Sequence, residues 1–499
     1  MARPLPTPVV TDDGEMYQSA TKIHPHEIDG RFQRLRRAAV FWLLGMFYLF
    51  PWLNWGDRQS VLFDLPARQF HVFGLTLFPQ DFIYLAMMMM IAAFSLFFFT
   101  AIAGRLWCGY ACPQTVWTET FLWIERWTEG TRNQRIKLDA ARWGWDKLRR
   151  KAGKQFLWIT FALWTGFTFV GFFTPIRDLG VRLVAFDIGP WETFWVVFYG
   201  LATYGNAGFL REQVCKYMCP YARFQGAMFD RDTLVIGYDT ARGEPRGSRR
   251  KSVPSVLARA AAPAGATATA DVGAPPALGD CIDCTLCVQV CPTGIDIRRG
   301  LQYECIACGA CIDACDSVMD KMGYPRGLVR YATENAFEGG RERILRPRVF
   351  VYAALLLALS GGFAWSLWHR TPLIVDVVRD RNALYREVAD GRIENAYTLK
   401  LVNQDGHDHQ FEIAVESTVP LRIGHGQQSH DSEHDAEHGR HAARILHVEV
   451  DEFSVREVPI TLSARRGDAG GRIEVTFVVT NETDRGVSYR QRSSFIGPP

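Results

Sequence analysis

The 499 residues predict a multi-domain membrane protein, with a helical transmembrane unit, then a cysteine-rich segment, then a C-terminal β-sandwich. Three observations carry this. Apolar stretches long enough to cross a bilayer fall before residue 211 and again near residue 350. Eight of the twelve cysteines lie between Cys281 and Cys315. From about residue 371, short runs alternate apolar and polar residues.

Five stretches, approximately Ala38–Trp55, Phe82–Gly104, Phe156–Pro175, Trp191–Leu210 and Val349–Trp368, approach the length required. A bilayer core of roughly 30 Å needs about 20 helical residues. Asn54, Tyr204 and Asn206 interrupt the first and fourth, and Trp52, Trp55, Trp191 and Trp195 fit interfacial aromatic belts. Lys and Arg gather before the first stretch (Arg31, Arg34, Arg36, Arg37), from Arg132 to Lys154, and ahead of the fifth (Arg341, Arg343, Arg346, Arg348). The first connection has only Arg58 and Arg68, and the third only Arg177 and Arg182. This alternation places the N-terminus and every cysteine inside and residues 371–499 outside. The opening residues lack the basic and apolar regions of a signal peptide. A net charge of +3 does not point to nucleic acid.

The expected organisation is an N-terminal cytoplasmic segment (1–37), a membrane unit of four helices (38–230), a linker (231–280), the cysteine-rich segment (281–325), a basic connector (326–348), a fifth transmembrane helix (349–368) and an exported β domain (371–499). The Ala/Pro/Gly/Thr-rich part of the linker reads as a flexible tether. Strand-like runs such as AYTLKLVN, QFEIAVES and RIEVTFVVT suggest the sandwich. One internal repeat stands out: RLWCGYACPQTVW after the second stretch and EQVCKYMCPYARF after the fourth. Each gives Cys-x-x-x-Cys-Pro with an aromatic five residues on, Trp117 and Phe224.

The strongest chemical signal is CIDCTLCVQVCP followed by CIACGACIDAC. Three cysteines spaced by two residues wrap three corners of a cubane, and two-cluster ferredoxins take the fourth ligand from the other run. One 4Fe–4S cluster then takes Cys281, Cys284, Cys287 and Cys315, and a second takes Cys305, Cys308, Cys311 and Cys291. Asp316 replaces the usual proline after the last cysteine. Zinc prefers two cysteine pairs to eight in this rhythm. Clustered cysteines also speak for metal on a reducing side rather than for disulfides.

The thiols of the repeat, Cys108, Cys112, Cys215 and Cys219, form one four-thiolate site if the two motifs face each other. They could hold Cu(I), a further cluster or a redox dithiol, or simply pack as small apolar residues. Proline after the second thiol makes each motif straddle a helix end. Met87–Met90 read as a lipid-facing run. His430, His434, His438 and His441 share a face if their segment is helical, and with neighbouring carboxylates they could bind Cu(II), Zn(II) or Ni(II). No histidine lies within an expected span, which argues against a bis-His haem. No Gly-rich nucleotide loop is present.

With both thiol motifs, the spans and the segment GDCIDCTLCVQVCPTGIDIRRGLQYECIACGACIDACD in place, the chain resembles the FixG/CcoG (RdxA) family of cytochrome c oxidase accessory proteins. The resemblance implies a five-helix transmembrane unit, a cytoplasmic ferredoxin-like segment with two 4Fe–4S clusters and a C-terminal Ig-like β-sandwich in the periplasm. It implies a bacterial inner membrane protein acting in assembly of cbb-type oxidases, reducing Cu(II) to Cu(I) for the copper centre. Its partners would be oxidase assembly factors or copper chaperones, with an unknown electron donor. The readings weighed against this are a quinol-oxidising electron-transfer subunit for a periplasmic reductase and a non-catalytic assembly scaffold.

Overall fold

The computed structural model describes residues 22–226, 228–248, 278–343, 345–371, 373–380, 383–388, 391–404, 407–425, 428–429, 441–482 and 488–498. The chain divides into two compact units, residues 1–74 with 79–361, and residues 75–78 with 362–499.

The first unit begins with α1 (Arg31–Leu49), α2 (Phe82–Ala103), α3 (Leu106–Tyr110), α4 (Pro113–Glu129) and α5 (Arg132–Ala140). It continues with α6 (Trp145–Val170), α7 (Ile176–Val184), α8 (Pro190–Thr203) and α9 (Pro220–Gly226). Two helices among the described residues are long and apolar enough to cross a membrane, Pro79–Ala103 and Pro347–Trp368, with mean hydropathy 2.3 and 1.8. The sequence led us to expect five. The other three stretches do form helices, but α1 opens on RFQRLRR and α6 on WDKLRRKAGK, so charge occupies their first turns. α8 has 14 helical residues before the chain widens into a π-helical segment, Tyr204–Leu210. There the i→i−4 ladder is interrupted, and the Asn206 carbonyl accepts from Arg211 N at 2.7 Å. Met88, Met89 and Met90 are exposed on α2.

Buried ion pairs tie several helices of this unit together. Glu125 of α4 is fully buried and accepts from Arg135 of α5 at 3.0 Å and from Arg211, just before the second thiol motif, at 3.1 Å. Burial alone raises the Glu125 carboxyl, but Arg211, Lys22, Lys154 and Arg135 override it and bring it down to about 2. Gln114 Nε2 donates to the carbonyls of Asn206 (2.8 Å) and Arg211 (3.0 Å). The helix that follows the first thiol motif is thereby bound to the chain that leads into the second.

The cysteine-rich module packs into the same unit. Strand Val235–Tyr238 pairs antiparallel with Val329–Ala332, and helix Ala310–Met322 lies in the core with Ile236, Ile297, Met319 and Leu328. Residues 235–247, read from sequence as linker, therefore belong to the module. The chain on either side of the Ala/Pro-rich tract is pinned together. Gly279 N donates to Pro245 O (2.9 Å), Asp280 N to Arg242 O (2.9 Å) and Gly247 N to Cys281 O (3.2 Å). Arg242 and the buried Asp280 also form an ion pair at 2.5 Å. The tract read as a tether lies outside the described residues, but it leaves and re-enters at one place and so separates nothing. Replacing residues 250–276 with a short Gly/Ser turn is expected to leave iron and sulfide content unchanged, whereas a true tether would lose cluster-to-membrane coupling when shortened.

The N-terminal strap holds the module from the other side. α1 carries no side-chain cap of its own, and Asp313, between Cys311 and Cys315, supplies one from a distant element. Its carboxylate accepts from the Phe32 (3.2 Å) and Gln33 (2.8 Å) amides, two of the donors a helix N-terminus leaves unpaired. His26 N donates to Gln289 O at 2.8 Å, extending the strap along the module. Asp313→Ala is expected to cost about 0.5–2 kcal/mol, read as a lower thermal midpoint and faster proteolysis before residue 31.

The second unit is a β-sandwich. One sheet orders strands Gln428–Ser429, Arg422–His425, Val455–Arg465, Arg392–Asn403 and Leu373–Arg379, and the other His441–Val450, His409–Ser417, Arg472–Asn481 and Ser488–Ile496. Burial alternates with period two along Arg392–Asn403, so Ile393, Tyr397, Leu399 and Leu401 point inward against Phe411, Ile413, Val475 and Phe477. Each such burial contributes about 1.5–3 kcal/mol. Asn395 is buried, and its amide satisfies both backbone groups of Ile496 at 2.8 and 2.9 Å. His430, His434 and His438 lie outside the described residues. His441 opens a strand paired with Ser417, so no single helix carries all four histidines.

Candidate metal centre

Two cavities in the module collect the eight cysteines. Cys281, Cys284, Cys287 and Cys315 line one, with Tyr238, Arg298 and Met319 around them. Cys291, Cys305, Cys308 and Cys311 line the other, and Cys287 also reaches its wall. The sequence reasons are local. Left-handed residues Asp283, Thr285 and Ala307, with Gly309, turn the chain tightly between successive cysteines. Helix Ala310–Met322 then carries Cys311 toward one cavity and Cys315 toward the other.

Burial pushes the Cys287, Cys305 and Cys315 thiols up to about 12, and raises Cys308 and Cys311 as well. A metal that binds these sulfurs must displace protons from them. Among the described residues no three His, Cys, Asp or Glu side chains converge closely enough for one metal ion. Four thiols spread around a cavity suit the corners of a multi-iron cluster, and the donor set is all sulfur.

The surroundings of the two cavities differ. Cys284 is exposed, and the Tyr238 hydroxyl at the rim of the first cavity donates to Glu244 at 3.3 Å. Cys305 and Cys308 of the second cavity are buried, as are Cys281 and Cys287 of the first, and Cys108 and Cys215 pack against the hydrophobic cluster that includes Ile306 and Cys308. Three residues of the first thiol motif touch its loop. Tyr110 Oη donates to Cys308 O at 3.2 Å, and Arg105 Nη1 donates to the carbonyls of Tyr303 and of Cys305, the latter at 3.4 Å. A Cβ on Gly109 would lie 2.8 Å from both the Ile306 and the Ala307 carbonyl oxygens. Glycine is the residue that permits this backbone approach.

The two thiol motifs have one local design. Cys112 and Cys219 both sit in extended backbone where one helical turn ends and a proline opens the next helix. The Cys112 amide donates to Trp107 O (2.9 Å) and the Cys219 amide to Val214 O (2.8 Å), five residues back in each case. The four thiols are neighbours: burial lifts Cys108 to about 12, and the charges of Cys112, Cys215 and Cys219 raise it further while Arg105 opposes. Burial raises Cys112 too, and the backbone of Thr115 and Gln114 at the start of α4 counters this. Sequence reasoning missed Arg105, Gly109, Tyr110 and Asp313, which join the cysteine module to the helices.

Two thiol-lined cavities in a ferredoxin-like module, attached to apolar helices and followed by a β-sandwich, define an iron–sulfur electron-transfer protein of the dicluster type. Family models agree part by part. A 4Fe–4S dicluster domain matches residues 210–334, a 4Fe–4S binding domain matches residues 85–130, and the Ig-like fold at the C-terminus of FixG matches residues 363–498. The chain is 37% identical over 493 residues to nitrogen fixation protein FixG of Rhizobium meliloti, covering 91% of this chain and 88% of that one. It is 39% identical over 428 residues to protein RdxB of Cereibacter sphaeroides, covering 83% and 86%. Protein RdxA of the same organism is also 39% identical over 428 residues, covering 82% and 85%. A solved FixG-related protein from Vibrio parahaemolyticus aligns with 26% of this chain and 100% of its own, at 21% identity and TM-score 0.20. The chain belongs to the FixG/Rdx family.

Proposed function

We propose that this protein carries single electrons from a cytoplasmic donor to Cu(II), and delivers Cu(I) toward assembly of a cbb-type oxidase. Cys281, Cys284, Cys287 and Cys315 hold one 4Fe–4S cluster, and Cys291, Cys305, Cys308 and Cys311 the other. When bound, the clusters supply one-electron carriers that exchange charge without a proton. Exposed Cys284 marks the side open to a donor, and the Cys305–Cys308 loop, bonded by Arg105 and Tyr110, the side turned to the helices. The observation that supports the reading best is the packing of Cys108 and Cys215 against the hydrophobic cluster that contains Ile306 and Cys308 of the second cavity.

Copper enters as substrate at Cys108, Cys112, Cys215 and Cys219. Thiolates prefer Cu(I) to Cu(II), so binding there favours the reduced ion. These thiols are not closed around a single point, and a site that must close on its ion holds it less tightly than a rigid cage. That suits an ion meant for hand-off to a chaperone. In this reading the helices form a five-span unit in a bacterial inner membrane, with α1, α6 and α8 completing the pair of clearly apolar helices, the clusters inside and the sandwich in the periplasm. The test offers anaerobic, reduced, cluster-loaded protein two acceptors in turn, Cu(II) with a Cu(I)-specific chelator and a soluble quinone analogue. Electrons are expected to reach copper. Cluster oxidation by the quinone alone would sink the copper reading in favour of a quinol-linked one.

A further inference from the structure

We propose that the side-chain oxygen of Gln225 is a specificity-determining donor beside the thiols, one that receives copper as Cu(II) and lets go once the ion is reduced. The inference rests on the reading that copper is the substrate at Cys108, Cys112, Cys215 and Cys219. Gln225 belongs to α9, the helix after the second thiol motif, and it is fully buried. Its Nε2 donates to Gly104 O at 2.9 Å and to Thr100 Oγ1 at 3.2 Å, at the end of α2. A backbone carbonyl can only accept, so the Gly104 contact fixes which way round the amide lies. The oxygen is thereby turned to Cys108, whose Sγ donates to Gln225 Oε1 at 3.6 Å. A helix of the second motif thus brings an oxygen to a thiol of the first.

The two motifs brace each other reciprocally. Gln114, after the first motif, donates to Arg211 O at 3.0 Å, and Gln225, after the second, donates to Gly104 O. Gly104 and Arg211 occupy the same place ahead of Cys108 and Cys215, and both take left-handed backbone, φ 53° and 38°. The halves differ in what the brace presents: the Gln225 amide also meets a thiol. Thiolates favour Cu(I), whereas Cu(II) takes oxygen and nitrogen ligands readily. An amide oxygen beside Cys108 therefore gives arriving Cu(II) a ligand of a kind that the four sulfurs do not supply. Copper that bonds to Cys108 displaces the thiol proton to solvent, which frees Oε1 from its hydrogen bond. Cu(II) then gains one electron, supplied by a reduced cluster. Cu(I) stays with the sulfurs, so the oxygen selects for the oxidised ion alone.

The experiment follows cluster oxidation in full-length, cluster-loaded, reduced protein, freed of excess reductant, over a range of buffered Cu(II). It yields the half-saturating Cu(II) and the limiting rate, and anaerobic competition with a Cu(I) chelator yields the Cu(I) affinity. Gln225→Leu is expected to raise half-saturating Cu(II) about tenfold, with the limiting rate and the Cu(I) affinity nearly unchanged. Gln225→Glu loses the brace to Gly104 but keeps an oxygen, and is expected to take Cu(II) at least as well as wild type. Gln114→Leu breaks the opposite brace and is expected to raise half-saturating Cu(II) far less than Gln225→Leu. Wild-type half-saturation in Gln225→Leu, an equal rise in Gln114→Leu, or a matching loss of Cu(I) affinity would each overturn the assignment. Should Gln225→Leu lose its iron, Gln225→Glu decides, and a raised half-saturation there would overturn it too. Wild-type clusters that stay reduced in Cu(II) would instead remove the copper reading beneath it.

Discussion

Replacing Cys108, Cys112, Cys215 and Cys219 together by Ser is expected to abolish copper reduction while iron and sulfide stay at wild-type content. The two effects separate because none of these four thiols lines either cavity of the module. Groups one shell away from a metal already cost about 10–100-fold when removed, so loss of every soft donor at the acceptor site should cost roughly 100-fold or more. Single-turnover Cu(I) formation, measured beside iron analysis of the same preparation, checks it. A variant that loses iron in proportion to activity would assign the thiols to the clusters instead. One that keeps its activity would move the acceptor site elsewhere.

Gly109→Val is expected to uncouple the loaded module from the thiols without emptying it. The added side chain must fit where a Cβ alone meets two carbonyl oxygens at 2.8 Å. Those atoms are backbone of the cluster loop and cannot rotate away. Overpacking of this kind costs about 1–3 kcal/mol. A loss of that size lowers the docked population about 5- to 150-fold. Copper reduction should fall by that factor, with the absorbance and iron content of the clusters retained, because Gly109 lies outside both cavities. Gly109→Ala, with a smaller intrusion, should fall between wild type and Val.

The cysteine rhythm made the two cavities legible, because tight loops and the crossed fourth ligand follow from spacing that no other common chemistry needs. Alternation from residue 371 made the sandwich legible for a similar reason: a period of two has only one structural meaning. Helix lengths were less legible. Apolar composition identified where α1, α6 and α8 run, but not that charged turns belong to the first two helices or that Asn206 lies in a π-helical break. The docking of the module was hidden because its contacts are single residues on different elements. One trace was there: the two thiol repeats differ where the first touches the cluster loop, Arg105 against Glu212 and Gly109 against Lys216. Asp313 left no trace, since an acidic residue between two cysteines does not announce that it caps a helix some 280 positions away.

The most direct measurement is stopped-flow mixing of fully reduced, cluster-loaded protein with less than one equivalent of Cu(II), following cluster absorbance and Cu(I) together. If electrons reach copper through the module, each Cu(I) formed should match one reduced cluster lost, with both signals changing at the same rate. Cu(I) that forms while the clusters stay reduced, or clusters that bleach without Cu(I), would contradict it.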